Sequence, residues 1–260
     1  MRYIVYLCAL NVFHFSIKKT HFIFMDSIHS LPTDSNELPP ILPLIIVGAK
    51  GLGKVALEVL QSTDNIIYCF LDEDYKEENS SSDSTSIPNE INHVSVMGSS
   101  DDDDMLNLIN DKCDYFVAVE NNTDRQRLIK KIYKQRKKYP AVAVHATAHI
   151  ADDATMGYGT LIGMGTMIGA DVKIGTSCII NANATLDYEV EIGNFTQIGI
   201  GANIGAQVKI EEEVFVGNGV TIISGVTIGK GARIGAGSVV LSNIKAKETV
   251  LGNPAKAVSM

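Results

Sequence analysis

The chain is short of several features that mark large protein classes. Its four cysteines, Cys8, Cys69, Cys113 and Cys178, are scattered, with no C-x-x-C pair and no framework spacing. That excludes a disulfide scaffold and a zinc-ribbon site, and it fits reduced thiols in a cytoplasmic protein. Positive charge is also scarce: 22 Lys and Arg stand against 30 Asp and Glu, for a net charge of −8. Without a basic footprint, nucleic-acid binding is not expected. One basic run, Lys130, Lys131, Lys134, Arg136, Lys137 and Lys138, precedes Pro140 and reads as the solvated face of a helix. Long apolar runs are missing too. Tyr3 to Phe13, broken only by Asn11, falls well short of the roughly 20 residues of a membrane span, so no stable insertion is expected. This run follows Arg2 as in a signal peptide but lacks the small-residue cleavage site. Met25 then opens a polar segment, so residues 1–24 read either as lying before the true start or as a disordered, weakly membrane-associated tail. No metal-ligand spacing stands out, and the acidic run Asp101 to Asp104 reads as a solvated helix start favoured by the helix dipole.

What the chain does have is a period of six. From Ile150 to Val240 an Ile, Leu, Val or Met stands at every sixth position, sixteen times in succession. The next residue is usually Gly, as at Gly157, Gly163, Gly193, Gly199 and Gly217, and a small or β-branched residue often follows four positions on, as at Thr160, Val172, Ala184 and Val208. A period of six matches neither a helix nor a simple alternating strand over such a length. It matches a hexapeptide β-helix in which each hexad is one side of a triangular coil. Sixteen hexads give a little over five coils. Both the aliphatic residue and the small one face inward, and this accounts for Cys178 as packing. The glycines are expected to serve backbone conformations that a Cβ would disfavour.

The segment before the repeat alternates strand and helix. Ile41 to Val47 reads as a buried strand, followed by the Gly-rich turn Gly48-Ala49-Lys50-Gly51-Leu52-Gly53 and a helix from Lys54 to Gln61. Ile66 to Leu71 is a second strand ending in Asp72-Glu73-Asp74. Such a βαβ unit lets a backbone approach a phosphate at a helix N-terminus and offers acidic acceptors to a ribose or base. The spacing is G-x-x-G-x-G rather than G-x-G-x-x-G, which favours a nucleotide-sugar over a dinucleotide. Glu77 to Glu90 reads as a loop and Val94 to Gly98 as a short strand. The acidic run leads a helix through Leu106 and Ile109, and Tyr115 to Val119 forms a third strand. Asn122 or Thr123 is expected to cap a helix from Asp124 to Lys138.

In this order the segments resemble the sugar O-/N-acyltransferases of the sialic acid O-acetyltransferase group, which includes acetyltransferases of UDP-4-amino sugars in bacillosamine synthesis. The resemblance rests on Ile45-Ile46-Val47-Gly48-Ala49-Lys50-Gly51-Leu52-Gly53, Phe70-Leu71-Asp72-Glu73, Val119-Glu120-Asn121-Asn122 and Val144-His145-Ala146-Thr147-Ala148. The repeat and the closing Gly252-Asn253-Pro254-Ala255-Lys256 complete it. It implies an N-terminal α/β Rossmann-like domain followed by a left-handed parallel β-helix of hexapeptide repeats. The expected divisions are a tail over 1–40, a sugar-nucleotide domain over 41–142, the β-helix over 143–245 and a C-terminal tail over 246–260. It also implies acetyl-CoA as co-substrate, no metal, a sugar or sugar-nucleotide acceptor, and a homotrimer with sites between prisms. The acceptor would lie against Gly48, Lys50, Gly51, Leu52, Asp72, Glu73, Glu120 and Asn121, and acetyl-CoA against Gln197, Asn218 and Ala236.

The chain departs from that family where the chemistry is expected. The family's general base is a His followed by an acidic residue, shortly before an Ile-Gly. Aligned on Ile192-Gly193, the His position holds Tyr188, and Glu189 keeps the acid. Leu52 and Gln197 stand where two further family histidines would be. A free His titrates near about 6.5 and a free tyrosine near about 10, so at neutral pH only about one tyrosine in a thousand is a phenolate. Tyr188 is therefore expected to orient the acceptor or donate to the thioester oxyanion, with Glu189 supplying basicity. His145 and His149 precede the regular coils and read as structural or surface residues. Two functions follow: acetyl transfer from acetyl-CoA to an amino or hydroxyl group of a sugar, or a catalytically degenerate homologue that binds a sugar nucleotide or acts as a scaffold.

Overall fold

A computed structural model describes residues 42–75 and 89–258. The readings of residues 1–40 and of the acid-rich stretch 77–88 lie outside these residues. The N-terminal part is a five-stranded sheet: β1 (Leu44–Val47), β2 (Ile67–Leu71), β3 (Glu90–Ile91), β4 (Val94–Gly98) and β5 (Asp114–Val117), in the order β3-β4-β2-β1-β5. All pairs are parallel except β3 with β4. The continuous apolar run of β1 fits its central place, buried on both faces. Three helices connect the strands: α1 (Gly51–Gln61), α2 (Asp103–Leu106) and α3 (Asn122–Arg136). Each starts earlier or ends sooner than the periodicity suggests. The cap of α3 is Asn121, whose Oδ1 accepts from the amides of Thr123 at 2.8 Å and Asp124 at 3.2 Å, not Asn122 or Thr123. Asp102 caps α2 by accepting from the Asp104 amide, which is the work of the acidic run. The basic run on α3 is only partly solvated. Lys131 and Lys138 are each about a quarter exposed and ion-pair with Asp101 and Asp114, and Arg136 donates to the Ile109 carbonyl at 2.6 Å.

The second part is a parallel β-helix of two-residue strands on three faces. The first face carries Ala143–Val144, Leu161–Ile162, Ile179–Ile180, Gln197–Ile198, Phe215–Val216, Arg233–Ile234 and Thr249–Leu251. The second runs from His149–Ile150 to Val239–Val240 and the third from Thr155–Met156 to Thr227–Ile228. Coils stack every 18 residues, as Ile180 on Ile198 and Ile198 on Val216. The stack begins one strand before the regular repeat, at Ala143–Val144. It also runs past Val240, where Val250 stands opposite Ile234 and Ile244 opposite Ile228, two residues sooner than in the coils below. The molecule therefore has about six turns rather than five. The inward aliphatic and small residues, Cys178 among them, form one continuous buried core.

The repeat glycines divide into two kinds. Those directly after the aliphatic residue have ordinary φ; their reason is close approach. A Cβ on Gly193 would stand 2.5 Å from the Glu212 amide nitrogen, and one on Gly199 2.5 Å from that of Asn218, both in the next coil. The left-handed backbone sits two residues later, at Gly201, Gly219 and Gly237 but also at Asp171, Ser177, Asn183, Glu189 and Phe195. The conformational expectation thus belonged to a different position of the hexad.

The two parts pack through the first face. Its outward residues Ala143, Leu161 and Ile179 are buried in one cluster with Ala56, Leu57 and Leu60 of α1. Burying Leu161 and Ile179 in this way contributes about 1.5–3 kcal/mol each. Phe195, at the turn leading into this face, packs under α3 with Leu128 and Ile132.

Candidate functional site

The pocket of the N-terminal part lies at the ends of β1, β2 and β5, beside the β1–β5 junction where the strand order reverses. This is where open α/β sheets bind ligands. Its volume is about 200 Å³, and its walls include Gly48, Lys50, Gly51, Leu52, Asp72, Glu73, Val119 and Glu120. Seven of the eight acceptor residues expected from the sequence meet here; Asn121 does not line it, being spent on the α3 cap. Gly48 has φ 108°, and a Cβ on it would stand 2.6 Å from the Ala118 carbonyl oxygen, so glycine is required where the turn crosses β5. No side chain caps α1 and its first turn holds no acid; Gly51 and Leu52 of that turn line the pocket, while the Gly53 amide donates to the Lys50 carbonyl.

The acidic residues play unequal parts. Asp72 is buried, and both its oxygens are taken by backbone: Oδ2 by the Ala49 amide at 2.7 Å and Oδ1 by the Asp74 amide at 3.0 Å. Its role here is to hold the Gly-rich turn against the end of β2. Glu73 and Glu120 remain at the wall. Glu73 accepts from Arg127 at 2.7 Å, and Arg127 also reaches Asp101 and Asp124. Lys50 pairs with Asp74, which raises its pKa. Ser100, buried, also lines the pocket, and Arg127 stands beside it on Glu73; the sequence carries no signal for either beyond the acidic run that follows Ser100.

The other expected residues lie elsewhere. Tyr188 and Glu189 sit in the turn between the second and third faces, the corner opposite the first face and hence opposite the N-terminal part. Tyr188 is 49% exposed, its amide donating to its neighbour Asp187 at 2.8 Å. Glu189, at φ 57°, accepts from Gln207 one coil on at 2.7 Å. Asn218 and Ala236 stack at the corner between the first and second faces, where Asn218 Oδ1 accepts from the Ile200 amide at 2.9 Å. Gln197 is on the first face and points into the N-terminal part, its Nε2 donating to the Glu120 carbonyl at 2.6 Å. Of the two histidines, His145 is buried and its Nδ1 takes the Thr147 amide at 3.1 Å, a turn-closing contact, while His149 is exposed. No cluster of metal-ligating side chains occurs among the described residues.

Fold and site together define a β-helical protein with an α/β domain whose pocket opens at its strand ends. Residues 43–132 match the PglD N-terminal domain, and residues 208–242 the bacterial transferase hexapeptide of six repeats. One chain thus carries both matches, in the order α/β domain and then hexapeptide repeat. It is similar to PerB from Caulobacter crescentus, solved with CoA and GDP-perosamine. The two are 27% identical, with a TM-score of 0.74 over 85% of this chain and 99% of that one. It is similar as well to the acetyltransferase domain of PglB from Neisseria gonorrhoeae with acetyl coenzyme A: 27% identity, TM-score 0.73, 83% and 98% covered. WeeI from Acinetobacter baumannii follows at 25% identity and a TM-score of 0.71, with 84% and 100% covered. A search of curated protein sequences finds no match.

Proposed function

We propose that this protein transfers the acetyl group of acetyl-CoA to the amine of a nucleotide-linked sugar. The observation that carries the reading is the pocket at the sheet's switch point, where the open N-terminus of α1 faces Glu73 and Glu120. Amide donors suit a diphosphate, and carboxylates suit the hydroxyls and ring N–H groups of a nucleoside. The likeness to proteins solved with CoA and a GDP-sugar supports both halves of the reaction.

In the reaction the free amine attacks the thioester carbonyl carbon, the C–S bond breaks, and CoA leaves as the thiol with the proton the nitrogen gives up. In this reading the Tyr188 hydroxyl donates to the carbonyl oxygen as negative charge builds there. Glu189, oriented by Gln207, takes the proton from the nitrogen and passes it to the leaving sulfur. An amine needs less help from a base than a hydroxyl does, which suits a chain with tyrosine at this position.

Within one chain Tyr188 and the pocket are on opposite sides of the prism, so the site is completed by a second copy. A ring in which the Tyr188 corner of one copy meets the pocket side of the next is a heterologous contact, and three copies close it. The second face, which lies between that corner and the Asn218–Ala236 corner, then lines the axis. Its outward residues His149, Met167, Thr185, Asn203, Thr221 and Val239 include no Asp, Glu, Lys or Arg. Acetyl-CoA runs along the cleft past Asn218 and Ala236. No described helix is long and apolar enough to cross a membrane. We assign the protein to the cytoplasm, where acetyl-CoA and sugar nucleotides are at hand and where its buried thiols stay reduced.

The test mixes purified protein with acetyl-CoA and a panel of UDP- and GDP-linked amino sugars and follows thiol release. Turnover with at least one amino sugar, and none with its N-acetylated form, is expected. Tight sugar-nucleotide binding with no turnover on any acceptor would overturn the enzyme reading in favour of a binding protein.

A further inference from the structure

The β5 side of the nucleotide pocket is held from both parts of the molecule at once. Arg125, in the first turn of α3, is 1% exposed, and its contacts are carbonyls rather than carboxylates. Nη1 donates to the carbonyls of Val119 at 2.7 Å and Glu120 at 3.0 Å, and Nη2 to Asn122 Oδ1. Nε has no partner among the described residues. The guanidinium lies over the ring of Phe195, 5.8 Å from its centre. From the same coil of the β-helix, Gln197 Nε2 donates to that Glu120 carbonyl at 2.6 Å and reaches Asn122 Oδ1 at 3.3 Å. Two of the three acceptors of this short loop, the Glu120 carbonyl and Asn122 Oδ1, are therefore shared by one donor from either part. A buried guanidinium with no counter-charge is costly to keep, so a role in fixing the loop would account for its retention.

We infer that Arg125 and Gln197 form a two-domain clamp that positions the Val119–Glu120 wall of the pocket, so that Gln197 governs acceptor binding rather than acetyl-CoA binding. The inference rests on the sugar-nucleotide reading of the pocket. Both are positioning residues: they hold the backbone that presents Glu120, and neither lines the pocket. The clamp also lets the β-helix, which carries the chemistry, set the shape of a site built on another domain.

Gln197→Ala and the isosteric Gln197→Glu, which keeps the packing but loses the donor, separate this from a packing role. Each is expected to raise the KM for the sugar nucleotide about five- to tenfold, the effect of one lost hydrogen bond, while the KM for acetyl-CoA moves by less than about twofold. Arg125→Lys, which keeps the charge but loses the fork, should act in the same direction. A rise confined to the acetyl-CoA KM would overturn the inference and make Gln197 a donor-site contact. Hydrogen exchange decides the clamp without any ligand. Faster exchange across residues 118–123 in Gln197→Ala, with the rest of the β-helix unchanged, is expected; unchanged exchange there refutes it. A wild-type protein with no turnover would remove the proposed function but leave the exchange result standing.

Discussion

At the residue scale the sharpest question is Tyr188. A tyrosine on an exposed corner can donate a hydrogen bond to an oxyanion but is a poor base at neutral pH. Tyr188→Phe is therefore expected to lower kcat by about tenfold, and Tyr188→His, which restores a group titrating near neutrality, to raise it by about tenfold or more. Steady-state kinetics with acetyl-CoA saturating checks both; full activity in the Phe variant would remove Tyr188 from the chemistry. The thiols give a second prediction. Burial pushes Cys69 and Cys178 up to about 12 from an ordinary 9.0. A raised value means that the folded state favours the thiol. That contribution to stability is complete below pH 9 and is lost as the pH climbs towards 12. Alkylation at pH 8, read by mass spectrometry, should leave both unlabelled in the native protein and label both in urea, and alkaline unfolding should set in above pH 9. Asn121 shows the limit of reading residues singly. A segment placed it at the end of a strand, where an asparagine can bind ligand or cap a helix, and only the position of α3 decides that it caps.

At the scale of elements, the hexad made the β-helix legible because one period governs sixteen consecutive positions. It also held a signal left unread. On the first face the outward position carries Ala143, Leu161 and Ile179, against Lys173, Glu191 and Lys209 on the third, and apolar outward residues mark the face that another domain covers. The glycines were legible as a pattern but not in cause, since the approach of the next coil is a contact 18 or 19 residues away in sequence. The two causes separate experimentally. Gly199→Ala puts a methyl 2.5 Å from the Asn218 nitrogen, with backbone that cannot swing aside. It should cost about 2–4 kcal/mol, in the range of overpacked cores. Gly219→Asn keeps a left-handed residue type, with nothing near its Cβ, at a position of the hexad where Asn183 already stands. It should cost under about 1 kcal/mol. Thermal unfolding of the two variants beside wild type measures the difference, and equal losses would show that conformation rather than approach sets the requirement at both.

For the whole molecule, the separation of Tyr188 from the pocket has a consequence that mixing can reveal. If the site lies between copies, a chain with Tyr188→Ala still has a sound pocket, and a chain with Glu120→Ala still has a sound Tyr188 corner. Alone, each assembles only sites with one defect. Co-expressed at equal levels and purified by two tags, they form mixed rings in which some sites pair the sound corner of one chain with the sound pocket of the other. In a heterologous ring of three that contains both chains, about one site in three is intact. Activity should therefore recover to about a third of wild type, although neither parent has it. A site built within one chain would give no recovery, because every chain then carries a defect in its own site. A two-copy isologous assembly is separated by mass: light scattering should report three chains, and two would change the geometry of sharing while leaving the recovery in place. The same experiment done with Gln197→Ala in place of Glu120→Ala locates the clamp. Its defect should be complemented by the Tyr188→Ala chain just as the pocket defect is, since Arg125, Gln197 and the pocket wall they hold all belong to one and the same copy.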